Sequence, residues 1–233
     1  MEILPGIEIK EKSLWVKKKK ILIIADIHLG YEQKMIDSGI LVPKRMFSEI
    51  KKEIEELLKL KPELIVINGD VKHELGKISD QEWRDALDFL DLLMNKAEVI
   101  LIRGNHDNLL EPIARKRGIE VRNFYCFDDI CVLHGHKIFL ETMDKKIKTL
   151  IIGHDHPAIT LDDGVKKEKF KCFLFGSYKD KKIIVMPSFF NLVEGSDIKK
   201  ERLFSPFLKD LNNFRVFVLG DKVYDFGKLK NIR

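Results

Sequence analysis

Five times this chain repeats one arrangement: a short apolar run rich in branched residues stops abruptly in side chains that can bind metal or move protons. The runs end in Asp26-Ile27-His28, Gly69-Asp70, Gly104-Asn105-His106-Asp107, His134-Gly135-His136 and Gly153-His154-Asp155-His156. Val99-Ile100-Leu101-Ile102, ahead of the third cluster, reads as a buried strand bounded by turn chemistry. Gly104 is expected to relax the backbone into the turn that follows. A polar cluster just past the carboxyl end of a strand is where open α/β sheets build their sites. Six of the seven His lie in these clusters, and the seventh, His73, follows Asp70 closely.

The spaces between the runs predict the fold class. Residues 1–20 read as short edge strands and 21–25 as a buried strand. A loop containing Asp37, Ser38, Gly39 and Pro43 leads to an amphipathic helix over 44–60, with Pro43 opening it and Lys61-Pro62 closing it. A strand at 64–67 follows. Ser79 and Glu82 form a capping box for a second helix, whose apolar face is Trp83, Ala86, Leu87, Leu90 and Leu93. After the strand before Gly104 come a short helix at 109–116 and a short strand at 119–122. Strand and helix alternate, which implies parallel strands joined by right-handed crossovers. From 130 onward strands dominate (130–133, 149–152, 170–175, 183–186, 215–219, 222–226), and these are expected to form a mainly antiparallel sheet stacked on the first. Residues 194–212 read as a short helix or lid. One α/β (α+β) domain over 1–233 is expected, with two stacked sheets.

Composition excludes several classes. A hydrophobic content of 45% and a charged content of 34% fit a globular chain, and no apolar run is long enough to span a bilayer. The start, Met1-Glu2-Ile3-Leu4-Pro5, has no charged segment followed by an apolar one, so a cytoplasmic location is expected. Cys126, Cys131 and Cys172 lack metal-knuckle spacing, and their apolar neighbours point to buried thiols, with no disulfide framework. A net charge of +5 is compatible with a phosphate-bearing partner.

In extended backbone, residues two apart face the same side, so Asp26 and His28 converge, as do His154 and His156. The available donors are carboxylate, imidazole and amide oxygen without thiolate. That set suits Mn²⁺, Fe, Zn²⁺, Ni²⁺ or Co²⁺. The donors are too many for one ion, so two divalent ions are expected.

The order Asp-x-His, Gly-Asp, Gly-Asn-His-Asp, His, Gly-His-x-His resembles the calcineurin-like metallophosphoesterase superfamily. Asp26-Ile27-His28-Leu29-Gly30-Tyr31-Glu32, Gly39-Ile40-Leu41-Val42-Pro43 and Gly153-His154-Asp155-His156-Pro157-Ala158 resemble its archaeal branch related to double-strand-break repair nucleases, and also the phosphoesterases associated with bacterial DNA ligases. The resemblance implies a four-layer αββα metallophosphoesterase sandwich of two mixed sheets flanked by helices. It further implies that Asp26, His28 and His156 hold one metal, that Asn105, His134 and His154 hold the other, and that Asp70 bridges them, with Mn²⁺ the leading candidate. A water activated by the ions would attack phosphorus. His106 would face the leaving group as a proton donor, oriented by Asp107.

Around that centre, His73, His136 and Arg103 are expected near the ligands or the substrate. Asp155 is expected to be exposed between two ligands. Most Phe residues belong to the core, with Phe189 and Phe190 as candidates for base stacking. The lysine-rich segments 166–171 and 179–182 read as hairpin surface or as a phosphate rim. The expected activity is hydrolysis of phosphodiester bonds in DNA, RNA or nucleotides. Phosphomonoesterase or cyclic-nucleotide phosphodiesterase activity and a non-catalytic metal-binding scaffold remain alternatives. No membrane partner is expected and a homodimer stays open. The repair nucleases carry a DNA-capping region and a segment that docks an ATPase, whereas this chain ends at Arg233, which argues against an ATPase partner.

Overall fold

The computed structural model describes residues 1–40, 46–73, 80–107, 110–162 and 164–232. Alternating side chains decide its layers. In β4 (Ile21–Ala25), residues Ile21, Ile23 and Ala25 face a second sheet, while Leu22 and Ile24 face helices. The first sheet runs in the order β1 (Glu2–Leu4), β2 (Ile7–Lys10), β3 (Ser13–Val16), β4, β5 (Leu64–Asn68), β6 (Glu98–Ile102), β7 (Val121–Arg122). Strands β1 to β4 pair antiparallel, and β4 to β7 pair parallel. Helices α1 (Tyr31–Asp37), α2 (Met46–Leu58), α3 (Asp80–Met94) and α4 (Leu110–Arg115) cover its outer face.

The second sheet contains β8 (Phe124–Phe127), β9 (Ile130–Leu133), β10 (Thr149–Ile152), β11 (Pro157–Asp162), β12 (Lys167–Tyr178), β13 (Lys181–Val185), β14 (Ser196–Asp197), β15 (Arg215–Leu219) and β16 (Val223–Lys228). Their order is β14-β11-β12-β13-β10-β9-β8, with β15 on β12 and β16 on β15. Between the sheets, Val66 and Ile102 meet Val132, Ile151, Phe173, Ile184 and Phe217. The outer face of this sheet packs on Phe207, Leu208 and Phe214, and 3-10 turns at Leu140–Met143 and Leu229–Asn231 flank it. Each fully buried aliphatic side chain contributes about 2 kcal/mol, against about 1 kcal/mol for a helix cap. Sheet stacking therefore dominates where the strand ends lie. No helix among the described residues is long and apolar enough to cross a membrane.

Several expectations need correction. The second sheet is mainly antiparallel as expected, but β10 lies parallel to both β9 and β13, and β14 lies parallel to β11. Parallel neighbours need a crossover, and here a 3-10 turn and the β11–β12 hairpin supply it in place of helices. Residues 31–37 form α1 where a loop is expected, with Gly30 at its start in a left-handed conformation at φ 88°. Pro43 and Ser79, the expected helix openers, lie outside the described residues, as do 41–42 and 109. Glu82 is buried, and its Oε1 accepts the His73 N–H at 3.0 Å.

Cys126 and Cys131 form a disulfide, and only Cys172 is a buried free thiol. The two half-cystines sit directly opposite each other in the β8–β9 pair, a proximity that linear spacing does not show. Residues 194–212 contain no α-helix, only the short strand β14, and Phe204 among them is 80% exposed. Lys171 and Lys181 are anchors. Lys171 Nζ donates to Ser188 O at 2.8 Å and to Phe190 O, and Lys181 Nζ donates to Asp144 O and Ile147 O, both at 2.8 Å. Lys181 is buried and Lys171 half-buried, and each Nζ is held by main-chain carbonyls.

Candidate metal centre

The five polar clusters follow β4, β5 and β6 of the first sheet and β9 and β10 of the second. Stacking brings these strand ends together. Asp26, His28 and His156 form one group whose donor atoms lie within 4.8 Å of one another, and Asp70, His134 and His154 form another by the same measure. Each group draws on both sheets, so neither exists until the sheets pack.

The local backbone is strained where these side chains project. Of the ten non-glycine residues with positive φ among the described residues, five are Asp26 (55°), His28 (50°), Asp70 (43°), His154 (73°) and His156 (45°). Such conformations are uncommon for residues with a Cβ and gather at functional sites. Gly104 is not one of them. A Cβ there would overlap Asp70 Oδ1 and the Asp70 amide nitrogen, so close approach accounts for the glycine. Gly153 meets Asp26 Oδ2 in the same way.

Charge is concentrated and buried. His134 Nδ1 lies 3.4 Å from Asp26 Oδ1, and His134 Nε2 lies 3.4 Å from Asp70 Oδ2. Burial works against charging His134, but Asp70 and Asp26 outweigh it and push its pKa up to about 9. Burial would likewise raise the Asp26 carboxyl, yet His156 and His134 hold it below the usual range. His28 is pushed down to about 3 by burial and by His156. Its Nε2 faces His156 Nε2 at 3.2 Å. Two imidazole nitrogens that close suit a shared cation as well as a shared proton. Asp26 Oδ1 and His28 Nδ1 are buried without a hydrogen-bond partner. Two buried carboxylates, convergent imidazoles and an orphaned carboxylate oxygen match the donor chemistry of a borderline divalent cation.

Among the neighbouring residues, Asp107 takes a different place from the one expected. Asn105 Oδ1 lies 3.0 Å from His134 Nε2, at the edge of the second group. His106 Nδ1 hydrogen-bonds to the His73 carbonyl at 2.7 Å, and its backbone N–H donates to Asp70 Oδ1 at 2.9 Å. With Nδ1 donating, Nε2 is the nitrogen turned toward the centre, 4.0 Å from Asp70 Oδ2. Asp107 does not hold that imidazole. Its Oδ1 accepts from Val71 N (3.0 Å) and Lys72 N (3.4 Å), and its Oδ2 accepts from Gly104 N (2.9 Å). The tight turn aims the carboxylate back at its own backbone.

Asp155 is buried, contrary to expectation. Its oxygens accept from Phe204 N at 2.7 Å and Ser205 N at 3.0 Å, and Ser205 Oγ donates to Gly135 O at 2.7 Å. Arg103 pairs with Glu111 of α4. His136 packs beside His134 and His154, with ring centroids 5.2 and 6.1 Å away. His73 stacks on His106 at 5.6 Å and meets the edge of Tyr31 at 4.4 Å. Phe189 and Phe190, the candidates for base stacking, are both buried, at 0% and 2% exposure, and Phe190 contacts Tyr31 at 5.2 Å and His28 at 6.4 Å. Sequence reasoning missed Ser205 and Tyr31. The alternation His154-Asp155-His156, which turns Asp155 away from its neighbours, was the available clue to the Ser205 contact.

Comparison with known proteins bears on this geometry. A model of the calcineurin-like phosphoesterase family matches residues 19–222. Among solved structures, the nuclease MPE of Pseudomonas putida is 19% identical over 92% of each chain, with a TM-score of 0.66. YfcE, a phosphoesterase from E. coli, is 13% identical over 90% of this chain and 97% of its own, with a TM-score of 0.47. The first of these shares the fold, and the matched family segment contains all five clusters.

Proposed function

Starting from the fact that this chain belongs to the calcineurin-like phosphoesterase family, and so is a hydrolase of ester bonds, we propose that it is a two-metal phosphodiesterase acting on nucleic acid or nucleotides. The observation that carries the reading is the pair of Asp-His-His groups assembled from both sheets at one end of the sandwich. Asp26, His28 and His156 would hold one divalent ion. Asn105, His134 and His154 would hold the other, with Asp70 between them. Mn²⁺ is the first choice for this carboxylate, imidazole and amide set. When bound, the two ions would supply charge neutralisation at the phosphoryl oxygens and an acidified water.

The chain's own residues do the rest. Asp70 is held by the His106 backbone N–H, which leaves its second oxygen directed at His134. His106, steadied through Nδ1, presents Nε2 to the ester oxygen that departs and donates a proton there. Asp107 sets the height of the 104–107 turn and so the placement of Asn105 and His106.

Of the nearby cations, Arg103 pairs with Glu111 and Lys171 with Ser188 and Phe190, whereas Lys34 Nζ lies 3.4 Å from His73 Nε2. The nuclease name of the Pseudomonas putida structure agrees with the diesterase reading. The test compares Mn²⁺-dependent hydrolysis of bis-p-nitrophenyl phosphate and p-nitrophenyl phosphate. The diester is expected to be turned over faster. Preference for the monoester would overturn the diesterase assignment, and turnover of neither by metal-loaded protein would favour a scaffold.

A further inference from the structure

The first metal-competent group joins the two sheets: Asp26 and His28 follow β4, and His156 stands just before β11. Such a group depends on how the sheets are held together at that end. Lys171 is placed to hold them. In the β11–β12 pair it lies directly opposite Ala158, two residues past His156. Its side chain leaves that strand for the 188–190 loop, where Nζ meets Ser188 O at 2.8 Å, Ser188 Oγ at 2.7 Å and Phe190 O. An ammonium has three donors, and three oxygens take them. Burial and Lys12 push the Lys171 pKa down to about 7. The Ser188 hydroxyl accepts from an ammonium and donates to an amine, so both carbonyls stay held in either state.

The gripped loop leans on the other half of the group. The Phe189 N–H donates to Ala25 O at 2.8 Å, one residue before Asp26. The Phe190 ring lies edge-on to His28, with centroids 6.4 Å apart, and against Tyr31 of α1 at 5.2 Å. His28 also meets the rings of His73, His106 and His156, at 5.4, 5.5 and 5.0 Å. Those three can take up or release a proton, whereas Phe190 cannot and so serves as a fixed wall. A metal-binding imidazole is ordinarily oriented by a hydrogen bond from its second nitrogen. His28 Nδ1 has no such partner among the described residues, so packing orients the ring. On the far side of the loop, Asn191 accepts from Lys12 and donates to Glu53 Oε1 of α2 at 2.7 Å.

We propose that Lys171 is a positioning residue for the metal centre: by gripping Ser188 and Phe190 it seats the Phe190 ring against His28 and fixes Asp26 and His28 relative to His156. The proposal rests on the two-metal reading and divides the centre in two. Asp70, His134 and His154 follow β5, β9 and β10, and the hydrogen bonds of the Lys171 ammonium go to none of those strand ends. Loss of the grip therefore loosens the first group and spares the second.

The test measures Mn²⁺ binding by calorimetric titration in two backgrounds. His154→Ala leaves the first group whole, and His28→Ala leaves the second whole. Lys171→Met should raise the Mn²⁺ dissociation constant roughly tenfold in the first background and leave it within about twofold in the second. Phe190→Leu should do the same, and the two substitutions together should cost no more than the larger alone, because they act in one chain of contacts. Lys171→Gln, which keeps two N–H donors for the carbonyls, should recover part of the loss, and it carries the comparison should Lys171→Met fail to fold. An equal loss in both backgrounds would make Lys171 a general determinant of the fold and overturn the proposal. So would additive losses from Lys171→Met and Phe190→Leu, or a Gln variant as weak as the Met one. If neither background binds Mn²⁺, the two-metal reading fails and takes the positioning role with it; if both bind and Lys171→Met weakens neither, the positioning role alone fails.

Discussion

Two turns of this molecule use nearly the same letters for different ends. Gly104-Asn105-His106-Asp107 follows β6, and Gly153-His154-Asp155-His156 follows β10. Each has a glycine because a Cβ would strike a carboxylate, Asp70 in one case and Asp26 in the other. Each also contains a buried Asp that accepts backbone N–H groups and does not serve a neighbouring His. They differ in where that Asp reaches. Asp107 bonds sideways, to its own turn and to the turn after β5, so it joins two strand ends of one sheet. Asp155 bonds outward to Phe204 and Ser205, far along the chain, and so ties a covering segment to the second sheet. They differ again in their histidines. Both His154 and His156 belong to metal-competent groups, whereas His106 belongs to neither. A Gly-His-Asp pattern therefore does not by itself say which residue binds, which reacts and which only holds the turn.

Five substitutions probe this contrast. The largest effect is expected in the second turn: His154→Ala or His156→Ala should lower diester hydrolysis by roughly a thousandfold or more and weaken Mn²⁺ binding in calorimetric titration. Asp107→Ala comes next. It orphans buried N–H groups on two turns and should destabilise the fold by about 3 kcal/mol, measured as a fall in the urea midpoint, with a loss of rate because Asn105 and His106 move. His106→Asn should reduce turnover by roughly a hundredfold while leaving Mn²⁺ binding and the urea midpoint unchanged; weakened Mn²⁺ binding would erase the distinction between the turns. Asp155→Ala should cost about 2 kcal/mol and raise proteolysis within 198–210. If it instead matched Asp107→Ala in rate loss, the outward bond would matter to the site as much as the lateral one.

Much of the fold was legible in the sequence. Helices α2 and α3 and strands β4 to β6 follow their apolar periodicity, and membership in the family could be read from the five clusters in order. Other features were hidden for definite reasons. Helix α1 lies between Gly30 and Ser38-Gly39, punctuation that reads as loop. The parallel pairing of β10 with β9 and β13 was masked because no helix makes the crossover. Cys126 and Cys131 meet only through hairpin register. Lys171 and Lys181 look like surface residues until the acceptors for their ammonium groups are known, and those acceptors are main-chain carbonyls, which sequence does not display.

The sequence by itself determined which chemical groups stand at the strand ends, because residue identity and alternation are local properties. It therefore specified carboxylates, imidazoles and an amide, without thiolates, just past apolar strands. Only the tertiary structure decided their grouping, since Asp26 and His28 find His156, and Asp70 finds His134 and His154, across two sheets. It also decided that Asp107 and Asp155 hold backbone and that Phe190 lies against His28. Those outcomes depend on main-chain partners and on packing between distant segments, and neither is encoded at any one position.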